Sequence, residues 1–419
     1  MHEWRAQPWR TIYFAYQGLL TVFVRTPWLA LTNLPRSRRP HPSWSLFKCV
    51  FLPILREWSE FGPIAEKTGN IIHCPTHHAI LPGADFHALW LEPDPTLIIG
   101  RVKHYAAQAH VQPTRIPGYW QTTSPDVDPH APPAPGERVI LFFHGGGFLS
   151  SSAHPHYLMG KHPRVHLQHV PRARRALAVE YRLTDISPLV GPPTDSGWEG
   201  RNPFPAALLD AITGLNHLLH VVGFALEDVV VIGDSAGANL ALALARHLVE
   251  NVKELHERLP NKFPSPTEVP SYSLVLLSPW GDLGTSHAGV ESSTATSTHD
   301  YLVDPFQGPL WAASQTYPGP LGIEAASTNE WISPASKCVD PDFRGFPRTF
   351  IEVGDMERLL DVVRTLRDRM VRDLREGKAG VTYFEAKGAV HDHLLFPFDE
   401  PEDKAVLVAI GDWVGESDK

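Results

Sequence analysis

Cysteine is scarce in this chain: Cys49, Cys74 and Cys338 are widely spaced and odd in number. They match neither a disulfide framework nor the paired spacing of a zinc knuckle, so free structural thiols are expected and no metal is called for. No Asn is followed by x-Ser/Thr, which removes the N-glycosylation acceptor. No small-residue cleavage site follows the N-terminal apolar stretch, and together these absences fit an intracellular protein. Positive charge is also short. The 37 Lys and Arg against 46 Asp and Glu leave a net charge of −9, and no Lys/Arg run is longer than the short Arg36-Ser37-Arg38-Arg39 cluster. A nucleic-acid footprint is thereby excluded. Gly-Lys-Ser/Thr is missing, so a P-loop is excluded too, and no internal repeat of fixed period is visible.

A long hydrophobic run is lacking as well. Thr11 to Val24, "TIYFAYQGLLTVFV", is broken by Arg25 and Pro27 before it reaches the roughly 20 apolar residues a spanning helix needs. Two readings of residues 1–45 stay open. One is an interfacial segment with Trp4, Trp9, Trp28 and Trp44 at headgroup level and Arg36, Arg38 and Arg39 on lipid phosphates. The other is a set of helices folded over a hydrophobic substrate site. Oligomeric state is not legible.

What the chain does hold is length and alternation. With 419 residues it can bury a large α/β core. Its 40 prolines are roughly twice ordinary usage and concentrate at 113–135 and 188–205, which read as turns and linkers. Short β-branched runs at 138–143, 176–181, 229–232, 272–277, 348–353 and 381–384 alternate with apolar-periodic stretches at 205–221, 236–250 and 357–376. This pattern predicts a mostly parallel sheet with helices on both faces. Residues 79–93 and 95–105 read as a leading hairpin. The division expected is an aromatic, apolar segment over 1–75 and a catalytic domain over 76–419.

Within that domain "VVVIGDSAGANLALALA" drives a buried strand through Gly-x-Ser-x-Gly into a helix. Such a turn is strained, and it presents Ser235 at a helix N-terminus, where free N–H groups favour developing negative charge. Upstream, His144-Gly145-Gly146-Gly147 follows another strand signal, and glycines there let backbone N–H groups approach an oxyanion. The Ala236 N–H, one residue past the serine, joins them.

These two motifs, with Tyr181-Arg-Leu, Asn202-Pro-Phe-Pro-Ala-Ala-Leu-Leu-Asp and Ser278-Pro-Trp-Gly-Asp, resemble the hormone-sensitive-lipase group of α/β-hydrolase esterases over roughly residues 138–396. The resemblance implies an α/β-hydrolase fold with a cap built largely from the N-terminal segment. It also implies a serine esterase or lipase acting on short-to-medium acyl esters of hydrophobic substrates, acetyl esters of lipophilic alcohols among them. No cofactor is implied. Residues 184–201 stand where relatives have only a few residues, which bears on substrate access.

A serine hydroxyl needs a general base oriented by a carboxylate. The resemblance places the base at His391 in "FEAKGAVHDHLLF". His393, two residues on, has no third ligand cluster to make a metal site with it. For the acid, "FIEVGDMERLLD" offers Glu357, favoured because Val-Gly-Asp-Met-Glu-Arg-Leu-Leu-Asp fits one branch of the group, and Asp355 as the alternative; the other of the two would cap a helix beginning near Met356. Asp234 is expected to bond local backbone, and Glu180, Tyr181 and Arg182 to support the fold. His144, Phe148 and Trp280 are candidate pocket residues, with core packing as the competing reading. Rival functions are a peptidase or amidase and a catalytically silent small-molecule binder; His-Gly-Gly-Gly argues against the first and the presence of His391 against the second.

Overall fold

The computed structural model describes residues 6–65, 77–83, 85–184, 202–259, 262–263, 265, 272–303, 308–396, 398 and 401–416. Eight strands form one sheet: β1 (His87–Leu91), β2 (Ile116–Thr122), β3 (Arg138–Phe143), β4 (Ala173–Val179), β5 (Val229–Asp234), β6 (Ser273–Leu277), β7 (Thr349–Gly354) and β8 (Val381–Ala386). Their order is β1-β2-β4-β3-β5-β6-β7-β8. The β1/β2 and β2/β4 pairs are antiparallel and all the others parallel. Strands β3, β5 and β6 are buried along their whole length, which explains their near-continuous apolar sequences.

Along β3 the side chains alternate between two cores. Val139, Leu141 and Phe143 face one built with the helices Ala206–Asn216, Ala236–Glu250 and Leu360–Leu374. Ile140 and Phe142 face the other, filled by Leu167, Val406, Ile410 and Trp413 from the helices His162–Leu167 and Pro401–Gly415.

The leading hairpin differs from its expectation. Its first strand is β1, but the partner is β2 from the proline-rich stretch, in register His87 with Trp120. Pro117 is tolerated near the start of β2, and its carbonyl accepts from the Glu180 N–H. Residues 95–105 instead form a 3₁₀ turn, Pro95–Leu97, capped by Asp94, and the helix Gly100–Gln108, which buries Val102 and Ala106 one turn apart. The expected helix over 357–376 begins only at Leu360. Of the stretch 184–201, residues 185–201 lie outside the described residues.

The N-terminal segment is helical throughout 9–33: α1 (Trp9–Leu20), a π-helical turn (Thr21–Arg25) and α2 (Thr26–Asn33), with right-handed helical backbone at both junctions. A long helix α3 (Leu46–Ala65) follows. No helix among the described residues is long and apolar enough to cross a membrane. Cys49 and Leu52 of α3 pack with Trp44 against Val390. The Trp44 Nε1 and Lys48 Nζ both donate to the Gly388 carbonyl, at 2.6 and 3.0 Å. The segment is thus fastened to the loop that carries His391.

Candidate active site

Ser235 sits between β5 and the helix Ala236–Glu250 at φ 50° and ψ −113°, a strained conformation for a residue with a side chain. The crossing is tight: a Cβ on Gly237 would lie 2.1 Å from the Phe143 carbonyl, so only glycine fits there. The Ser235 N–H donates to the Leu277 carbonyl at 2.8 Å, which ties the turn to β6.

From this turn the Ser235 Oγ lies 3.0 Å from His391 Nε2. His391 Nδ1 lies 3.1 Å from Glu357 Oε2. The other Glu357 oxygen accepts from the Gly354 N–H at 2.7 Å and from the Ser278 Oγ–H at 2.6 Å. Three side chains separated by up to 156 residues of sequence are thereby brought into line, and all are at least nine-tenths buried. Asp355 faces elsewhere, its Oδ1 accepting from the Gly388 N–H at 2.7 Å. The expectation that it caps a helix beginning near Met356 is corrected by this contact, since that helix starts four residues later at Leu360.

The electrostatics are dominated by carboxylates. Burial disfavours the His391 imidazolium, but Asp392, Glu357 and Asp300 outweigh it and push the His391 pKa up to about 10. Asp392, in left-handed backbone at φ 46°, places its Oδ2 3.2 Å from His391 Nε2. Burial, with Glu357, Glu352 and Asp300 nearby, pushes the Asp392 carboxyl up to about 7 against the opposing pull of His391. Asp300 accepts from the His391 and Arg358 N–H groups.

The glycine turn lies beside the serine. Gly146 and Gly147 take positive φ, 107° and 64°, and the Gly146 carbonyl accepts from the N–H groups of Leu149 and Ser150, leaving the turn closed on itself. Gly145 packs directly on Asp234, whose carboxylate faces the Gly145 N–H and His162. Two of the candidate pocket residues, His144 and Phe148, pack into the interior. His144, Phe148 and Trp280 are all buried, at 0, 0 and 2% exposure. His144 stacks on Tyr181, whose hydroxyl donates to the His144 carbonyl at 2.6 Å, and Phe148 stacks on Tyr317 with centroids 3.9 Å apart. His144 and Phe148 are packing groups behind the glycine turn that follows β3, whereas Trp280, which follows β6, lies beside Gly147.

His393 points away from His391, with Nε2 2.9 Å from Glu352 and Nδ1 2.6 Å from Asp403. Among the described residues no group of three or more His, Cys, Asp or Glu is arranged to hold a metal.

Comparison with known proteins agrees with this fold. A family model described as the alpha/beta hydrolase fold matches residues 200–395. An esterase of Acinetobacter venetianus is 27% identical over 288 residues, covering 68% of this chain and 77% of that protein. The esterase LipU of Mycobacterium tuberculosis is 27% identical, with 68% and 80% covered. A crystal structure of a hormone-sensitive-lipase homologue, EstE7 from a metagenome library, superposes with a TM-score of 0.50 at 25% identity, covering 72% of this chain and 83% of its own. The chain has the α/β-hydrolase fold and is similar to esterases of the hormone-sensitive-lipase group.

In this hydrolase the sequence motifs leave three buried groups unassigned. Ser278, at φ 44° just past β6, joins Glu357 to the Asp392 N–H; it was visible in Ser278-Pro-Trp-Gly-Asp but carried no role. Asp300 lies 91 residues before His391, with no local signal. Asp392 is adjacent to the histidine, but its contact with Nε2 depends on a backbone conformation no pattern reveals. Glu180 accepts from Ser152 and Ala153, and Arg182 grips Asp210 through two nitrogens, so the hydrolase uses the first to tie the end of β4 to a neighbouring loop and the second to tie it to the helix Ala206–Asn216.

Proposed function

We propose that this hydrolase cleaves carboxylic esters of hydrophobic substrates through an acyl-enzyme on Ser235. The observation that carries the reading is the unbroken line from Ser235 Oγ through His391 to Glu357 at 3.0 and 3.1 Å, on a turn whose strain holds the hydroxyl in place. His391 Nε2 takes the Ser235 proton as Oγ attacks the carbonyl carbon. Glu357 steadies the imidazolium, and the C–O bond breaks as His391 returns the proton to the leaving alcohol. Water then repeats the sequence and releases the acid.

The N–H groups of Gly146, Gly147 and Ala236 are assigned to the oxyanion, while Gly145 is turned to Asp234 and supports the loop. Each such donor is worth about 3–4 kcal/mol. An apolar wall supports a small acyl group: a Cβ on Gly147 would meet Leu310 at 3.1 Å and Trp280 at 3.8 Å. Short-to-medium acyl esters, acetyl esters of lipophilic alcohols included, fit that room.

The test is hydrolysis of p-nitrophenyl esters from acetate to palmitate. Ser235→Ala and Glu357→Gln are expected to lose about 10⁴-fold in kcat, Asp355→Asn less than about tenfold, and the rate to peak at short chains. A wild type inert to these esters and unlabelled by a fluorophosphonate would instead make the chain a silent binder.

A further inference from the structure

The N-terminal helices are amphipathic in the wrong sense for a protein surface. In an α-helix of about 3.6 residues per turn, Ile12, Tyr16, Leu19 and Phe23 fall within one arc of about 60°. Their exposures are 49, 60, 59 and 70%. The polar residues Gln17, Thr21 and Arg25 lie on the opposite side and face the protein. Arg25 pairs with Glu57 of α3 at 2.6 Å and bonds Gln17 and Thr21, while Phe14 stacks on Trp58. A soluble surface helix does the reverse.

Continued as an unbroken α-helix, the chain would carry Trp28 and Leu31 to about 150° and 90° from the centre of this arc. The π-helical turn Thr21–Arg25 absorbs one extra residue through its i→i+5 bonding and returns both to the same side. Trp28 is 66% and Leu31 68% exposed. One continuous apolar face therefore runs the length of residues 9–33, and a helical irregularity keeps it in register.

Charge selects the occupant. Between residues 6 and 56 there are seven basic residues and no acidic one, in a chain whose net charge is −9. Arg36 and Arg38 are exposed at the end of the stripe. A second copy of the chain would bring two basic rims together, whereas an anionic lipid surface complements both the rim and the apolar face. We propose that the face of residues 12–31 docks in the plane of an anionic membrane, with Phe23, Trp28 and Leu31 entering the acyl boundary and Arg36 and Arg38 on lipid phosphates. Docking rests on the stripe and is independent of the hydrolytic reading.

The experiment is co-sedimentation of the full chain with phosphatidylcholine vesicles containing 0 or about 30% phosphatidylserine, with hydrolysis of soluble p-nitrophenyl acetate measured in parallel. Wild type is expected to bind the anionic vesicles at least about tenfold more tightly than neutral ones and to weaken as salt rises. Phe23→Ser/Trp28→Ser/Leu31→Ser is expected to lose vesicle binding at least about tenfold, with its circular dichroism and soluble hydrolysis unchanged. Arg36→Ser/Arg38→Ser is expected to lose the preference for anionic vesicles and keep a weaker, salt-insensitive binding. Equal binding by wild type and the triple variant, or no binding by wild type to either vesicle, overturns the proposal. So does a wild-type dimer that the triple variant converts to monomer, which would make the face a contact between copies.

Discussion

At His391 the local charges pose a kinetic question, because a general base must be neutral to work. Three carboxylates surround the ring: Glu357 on Nδ1, Asp392 on Nε2 and Asp300 on its backbone N–H. Asp392 is the one that competes with Ser235 for the reacting nitrogen. Asp392 and His391 each favour the other's charged form, and an anionic Asp392 holds the proton on the imidazole. Asp392→Asn removes the negative charge at 3.2 Å, so the imidazolium loses support and the His391 pKa falls from about 10 toward the ordinary value of about 6.5. The acidic limb of kcat/KM is then expected to shift at least about one unit to lower pH, leaving the variant faster than wild type in mild acid. A pH profile of both proteins with a short p-nitrophenyl ester checks this; an unmoved limb would mean that Asp392 does not face the histidine in solution.

Among the elements, β7 does two tasks. Its far end positions Glu357 through the Gly354 N–H, and its middle carries Glu352, which with Asp403 of the C-terminal helix encloses His393. Burial lowers the tendency of His393 to charge, but Glu352 and Asp403 override it and push its pKa up to about 10. A pKa raised above its unfolded value contributes stability that is fully present below about pH 6.5 and disappears as pH rises through about 10. His393→Ala strands the buried Glu352 carboxylate and is expected to destabilise the fold by about 3–5 kcal/mol at neutral pH. Urea unfolding at neutral and alkaline pH should show the gap to wild type narrowing as pH rises; a constant gap would reduce His393 to a packing group. How much was readable follows from the same physics. β3, β5 and β6 are buried on both faces, so their residues had to be apolar runs and their sequences declared them. β2 carries Pro117 inside a proline-rich stretch, and the helix Gly100–Gln108 opens on a glycine at positive φ, so both were misread. Ser235 and the glycine turn are local motifs, and Glu357 is favoured as the partner of His391 by its own motif; the placing of Ser278 and Asp300 around that pair is tertiary and has no local signal.

For the whole molecule, the N-terminal helices divide into a part the active site needs and a part it does not. α3 with Trp44 buries Val390, the residue before His391, and holds the Gly388 carbonyl by two donors. Among the described residues the stretch 9–33 rests on α3 through Phe14 on Trp58 and Arg25 on Glu57, and its end is held by Arg39 on the Asn33 carbonyl. Deleting residues 1–35 therefore leaves the Trp44, Cys49 and Leu52 cluster in place, and hydrolysis of p-nitrophenyl acetate is expected to stay within about threefold of wild type. Deleting residues 1–65 removes that cluster. Its buried side chains are each worth about 1.5–3 kcal/mol, and losing them uncovers the loop on which His391 depends. That protein is expected to unfold at lower temperature and to lose at least about a hundredfold in kcat with KM less affected, because the base is displaced while the glycine turn and Ser235 remain. Thermal unfolding and steady-state kinetics on the two truncations decide it. Equal losses in both would mean that residues 9–33 themselves hold the catalytic loop, and the outward apolar face would then owe its form to the active site and not to a surface beyond the protein.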